Sequence, residues 1–140
     1  MSNHHQWNIE SATKAHKENR LQEWCVDYLT HEGNNLKLAE VLQNPENKVF
    51  VSTLSLQPLD SLNIQVGPPE SNRKWTDNEW ESNISKFMKL IDQGWVPPPI
   101  ITTDFWGNLH DITDGNHRCE ALKRKGFKEY WVIQLTNKIS

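Results

Sequence analysis

Cysteine is scarce: the 140 residues hold only Cys25 and Cys119. Two thiols make no disulfide framework, and no Cys/His spacing resembles a zinc site. No apolar run approaches the roughly 20 residues of a membrane span, and the polar N-terminal stretch is unlike a secretory leader. An excess of positive charge is also missing. The formal net charge is −3, which argues against coating nucleic acid as the main task, because that affinity scales with neutralised phosphates; a local basic pocket is still allowed. Internal repeats and low-complexity tracts do not occur. These absences leave a polar globular chain, expected to be cytoplasmic, with 36% hydrophobic and 24% charged residues. It is long enough to bury one core without covalent staples.

Tryptophan, by contrast, is abundant. Seven are spread over positions 7, 24, 75, 80, 95, 106 and 131 in no periodic stripe. Most are read as core and rim packing, with one or two available to stack on a base or cover a pocket.

Residues 1–20 are polar and lack apolar periodicity, so they are read as an N-terminal arm, frayed or loosely docked as a helix. His4, His5 and His16 belong to that arm and are read as solvated rather than metal-binding. From Leu21 onward, the spacing of Leu21, Trp24, Cys25, Tyr28 and Leu29 predicts an amphipathic helix ending in a left-handed cap at Gly33. Cys25 is then a buried small hydrophobe, not a nucleophile. A second short helix carries Leu38, Ala39, Val41 and Leu42, and Asn44-Pro45 breaks it.

The segment KVFVSTLSLQPL, residues 48–59, predicts a strand. The polar stretch that follows, rich in Gly, Pro, Ser and Asn, is long for a connection, as functional loops often are. Thr76 to Glu79 reads as a capping box that opens a helix with Trp80, Ile84, Phe87, Met88 and Ile91 on one face and Gly94 as its stop. Two short strands near 100–103 and 109–112 are joined by a Gly-Asn turn. A helix after residue 115 and a last strand in EYWVIQL complete the chain. This order predicts an α+β domain over 21–140, a small mixed sheet flanked by helices. Residues 21–45 form a helical extension and 48–135 the core.

The stretch ITDGNHRCEALKRKG, residues 112–126, places a tight polar turn between a strand and a helix. Backbone N–H groups point out of a helix start unpaired by the helix itself, so this is a common way to build an anion site. Gly115 admits close backbone approach. The N–H groups of Asn116, His117 and Arg118 can bind phosphate oxygens, and the Arg118 side chain can add a charge-assisted contact. Asp114 is either the N-cap of the helix or an oxygen ligand for Mg2+. Glu70 is either a general base or one half of an exposed ion pair with Arg73.

Two boxes in residues 49–135 resemble the ParB/sulfiredoxin-like superfamily, which includes chromosome-partitioning proteins, sulfiredoxins and free-serine kinases. The first is ESNRKW, followed by the capped helix and GWVPPPIIT. The second is DGNHRCEAL, in which Gly115, Arg118 and Ala121 match a Gly-x-x-Arg-x-x-Ala pattern. The resemblance implies an ATP- or CTP-binding domain with Mg2+, either an NTP hydrolase or a phosphotransferase acting on a small-molecule acceptor. It implies a phosphate cradle of Arg73, Lys74, Gly115, Asn116, His117 and Arg118, with Glu70, Asp114 and His117 as candidate catalytic groups and Asp114 at the metal.

Departures from the family narrow this. Where sulfiredoxins carry their catalytic cysteine, this chain has Asn116, so sulfinic-acid repair is not expected. No dedicated DNA-binding domain is expected after the last strand. DGNHR differs at one position from the Asp-Gly-His-His-Arg of the serine kinases. Alternatives are a nucleotide-gated module that docks a protein partner or a second copy through residues 21–43, and a metal-dependent nuclease using Asp104, Asp111 and Asp114.

Overall fold

The computed structural model describes residues 7–33, 35–64, 77–103 and 111–137. Among these, five α-helices and four strands follow in the order α1 (Ile9–Lys17), α2 (Leu21–Thr30), α3 (Leu36–Gln43), β1 (Val49–Pro58), α4 (Asp77–Asp92), β2 (Ile100–Thr103), β3 (Asp111–Asp114), α5 (Asn116–Arg124) and β4 (Glu129–Asn137). The class is α+β. The sheet is open and mixed, in the order β1-β4-β2-β3. β4 pairs antiparallel with β1 and parallel with β2, and β2 pairs antiparallel with β3. The capping box at Thr76, the turn before β3, Trp75, Trp106 and Asp104 lie outside the described residues.

β2 and β4 alternate their side chains between two helical layers, as the period of two requires. Ile101, Ile133 and Leu135 pack with α1, α2 and α3. Ile100, Val132 and Tyr130 face the other way, onto Cys119 and Leu122 of α5. α4 packs on α5 through Trp80, Ile84 and Ala121. Full burial of a side chain the size of Leu or Ile stabilises by about 1.5–3 kcal/mol, so these contacts fix the layers.

The five apolar residues whose spacing predicts α2 are the five that α2 buries. Those of α3 turn inward as well: Leu38, Ala39 and Leu42 are buried, and Val41 packs against the same core. The apolar face of residues 21–43 is therefore used inside the chain, while Leu36 remains 59% exposed.

Residues 9–17 are a docked helix rather than a frayed arm. Asn8 and Ser11 cap it reciprocally, with Ser11 N donating to Asn8 Oδ1 at 2.8 Å and Asn8 N to Ser11 Oγ at 3.0 Å. Its buried residues are Ala12 and Ala15, one turn apart. Small side chains let it lie close to α2, where Trp24 Nε1 donates to Ser11 Oγ at 3.0 Å.

The end of α2 departs from expectation. His31 is the C-cap, and Gly33 is not among the residues with positive φ. The glycine serves space instead. Its N–H donates to Tyr28 O at 2.8 Å, and a Cβ there would lie 2.8 Å from the Tyr28 ring. Gly33→Ala is therefore expected to displace the Tyr28 ring and destabilise the fold by about 1–3 kcal/mol, the usual range for overpacking. The check is a lower urea midpoint at an unchanged slope.

Candidate functional site

β3 ends at Asp114, Gly115 turns the chain, and α5 starts at Asn116. Gly115 has φ 107° and ψ 21° and is the N-cap of α5, with no side-chain cap bond. The cap alternative for Asp114 therefore fails: its carboxylate faces two other groups. Asn35 Nδ2 lies 3.4 Å from Asp114 Oδ1, and Arg118 Nη2 lies 3.4 Å from Asp114 Oδ2.

Arg118 is 8% exposed and turns into the protein. Its Nη1 donates to Tyr28 Oη at 2.8 Å and its Nη2 to Pro99 O at 2.9 Å. The guanidinium also fills the room at Gly115, where a Cβ would stand 2.8 Å from Nη2 and 3.1 Å from Cζ. Positive φ and this contact both demand glycine there. Nε is buried without a hydrogen-bond partner. Burial works against the charge, but Tyr28 and Asp114 outweigh it and hold the guanidinium pKa above its usual range. Burial likewise pushes the Tyr28 phenol up, so it stays protonated.

His117 packs beside Trp80, with ring centres 4.6 Å apart, and 6.5 Å from Phe87. Asn83 Nδ2 sits 3.4 Å from its Nε2. Burial first, then the Arg118 charge, lowers its pKa from 6.5 to about 4. The ring is neutral near pH 7.

One cleft of about 410 Å³ collects Asp114, Gly115, Asn116, His117 and Arg118 along one side. That is a typical size for a small-molecule site. Glu70, Arg73 and Lys74 lie outside the described residues. The sequence reading missed what lines the remainder: Tyr28, Glu32 and Asn35 from around α2 and α3, and Phe87 and Trp95 from α4 and its end. A signal for Trp95 exists in its place directly after Gly94; nothing local to residues 28–35 marks them.

The charge carried by the described lining residues is mixed. Among the described lining residues, Glu32 and Asp114 stand against Arg118, and Arg118 is committed to Asp114. Asp114 keeps lone pairs beyond its two 3.4 Å contacts, and Glu32 shares the cleft. One or two carboxylates completed by phosphate oxygens suit Mg2+. Among the described residues, no three His, Cys, Asp or Glu side chains gather to form a metal site of their own; Asp104, named with Asp111 and Asp114 for a nuclease, lies outside them. Cys119 is fully buried, and burial pushes its thiol up to about 11. A nucleophilic thiolate is thereby disfavoured.

No family model, curated protein or solved structure matches this chain. No helix among the described residues is long and apolar enough to cross a membrane.

Two outcomes follow from this geometry. Arg118→Ala is expected to cost about 3–5 kcal/mol, the range for breaking a buried ion pair by removing one partner, seen as a large drop in urea midpoint. Arg118→Lys, which keeps the charge but not the fork, should recover only part of it. The second outcome concerns pH. An unfolded His117 takes up a proton near pH 6.5, whereas the folded ring resists until about pH 4. Stability present above pH 6.5 is therefore lost as pH falls through that window. His117→Gln should flatten this part of the stability profile.

Proposed function

We propose that the chain is a nucleoside triphosphate-binding domain of the ParB/sulfiredoxin-like kind. It holds ATP or CTP with Mg2+ in the cleft at the start of α5, and either hydrolyses it or passes its phosphate to a small-molecule acceptor. The observation that carries this reading is the glycine start of α5, which offers no side-chain cap and opens on a cleft with aromatic residues on its wall. A helix start favours anions through its N–H groups and its dipole.

In this reading the backbone N–H groups of Asn116, His117 and Arg118 receive phosphate oxygens, with Gly115 admitting close approach, while Asp114 with Glu32 holds the metal. Mg2+ supplies charge neutralisation between the phosphates. His117, neutral at physiological pH, is a hydrogen-bonding group and not a cation. Arg118 acts as a positioning residue, fixing Asp114 and the Gly115 turn. Arg73 and Lys74 complete the cationic side, and Glu70 is the candidate general base.

A second reading, a nucleotide-gated protein-interaction module without turnover, draws on the bonds from Tyr28 to Arg118 and from Asn35 to Asp114. They tie the cleft to α2 and α3, so that occupancy has a route to those helices.

The test is calorimetry with ATP, CTP, GTP and ADP, with and without Mg2+, on wild type and Asn116→Asp. A carboxylate at the first helical position suits the helix dipole, so this variant should keep its melting temperature. It should weaken triphosphate binding by about tenfold or more through repulsion at the phosphate. Because carboxylates outnumber cations among the described lining residues, removing Mg2+ should weaken wild-type binding by a similar factor. Phosphate release then separates the two readings. If no nucleotide binds wild type, or Asn116→Asp binds as well as wild type does, the reading fails.

A further inference from the structure

Trp95 owes its position to the way α4 ends. Gly94, with φ 98°, donates to Ile91 O at 3.0 Å, and Trp95 N donates to Leu90 O at 2.9 Å. This pair of bonds is the glycine-based helix stop in which the residue after the glycine folds back on the last turns. Trp95 does so on Phe87, with ring centres 5.4 Å apart and planes 20° apart. The proline run that follows holds the chain beyond it, because Tyr130 Oη donates to Pro97 O at 2.6 Å and Arg118 to Pro99 O. Proline has no N–H, so carbonyl partners are what such a run needs. The result is an indole fixed from both sides in sequence, half-buried and on the cleft wall.

The cleft therefore joins two kinds of surface. One is the start of α5; the other is a stacked aromatic pair, with Phe87 6.5 Å from the His117 ring. The half-buried Trp95 indole lines the same cleft as Asp114 and Asn116. A ligand that uses both surfaces carries an anionic group and a planar ring. We propose that the Phe87–Trp95 pair is a stacking subsite for the nucleobase, with Trp95 the contact residue. This rests on the nucleotide reading above and makes Trp95 the determinant of nucleotide over bare polyphosphate. Because every base has a π-face, stacking of this kind is tolerant of base identity.

The experiment compares Mg2+ complexes of ATP, CTP and inorganic tripolyphosphate by calorimetry on wild type, Trp95→Leu and Trp95→Phe. Leucine keeps an apolar side chain but no π-face; phenylalanine keeps a ring. Wild type should bind both nucleotides more tightly than tripolyphosphate by about 5- to 100-fold, the range of one base–aromatic stack. Trp95→Leu should lose that margin while its tripolyphosphate affinity is unchanged, and Trp95→Phe should keep most of it. Equal wild-type affinity for all three ligands overturns the subsite and leaves phosphate binding standing. A Trp95→Leu variant that weakens tripolyphosphate as much as ATP also overturns it, because Trp95 then shapes the cleft and does not touch the base. Failure of wild type to bind any of the three overturns the nucleotide reading and this inference with it.

Discussion

The buried guanidinium of Arg118 is the contact through which the separate parts of this fold are fixed to one another. It reaches Tyr28 on α2, the carbonyl of Pro99 at the entry to β2, and Asp114 at the end of β3. Each partner has its own reason to need it. The Tyr28 hydroxyl is buried and requires a polar neighbour, Pro99 presents a carbonyl beside a run without donors, and Asp114 is only 12% exposed at its side chain. Burying a guanidinium is unfavourable, and it is offset only when most of its donors are used in good geometry. Here one is not: Nε has no hydrogen-bond partner. An orphaned buried donor costs on the order of 1–3 kcal/mol, so the arrangement trades some stability for the position of the groups around it.

Those groups are the ones that border the cleft. With Arg118 turned inward, the described lining residues present the backbone of the α5 start, two carboxylates and an aromatic wall. An anionic ligand meeting these residues is helped by a cation bound with it or by cations from elsewhere in the chain. Among the described residues, that is a different physical problem from a row of Lys and Arg side chains. It also explains why the proposed roles separate: backbone for the phosphates, carboxylates for a metal, rings for a base.

Much of the layout is legible in the sequence, and the misses have physical causes. The periods of α2 and α4, the strand at 49–58 and the helix stop at Gly94 follow from large apolar residues and glycine in the expected places. α1 is harder to see because it buries two alanines, which leave no hydrophobic stripe. Gly33 misleads because glycine after a helix implies a left-handed cap, whereas here it makes room for the Tyr28 ring. DGNHR is visible as a turn at a helix start, but the inward direction of Arg118 is not. That direction depends on Tyr28, 90 residues away, and no local pattern contains it.

The distance between those two residues bears on what the family resemblance is able to carry. Its boxes lie within residues 49–135, yet Tyr28, Glu32, Gly33 and Asn35 border the same cleft as DGNHR. Asn35 contacts Asp114, and Tyr28 receives Arg118. The helices before β1 are thus part of the site wall, and their apolar residues share one core with Ile101, Ile133 and Leu135. A site described from the boxes alone would have the start of α5 and lack one side. Glu32 and the link to α2 and α3, which also border this cleft, come from outside the resembling segment. They give the cleft a wall that the resembling segment by itself does not supply.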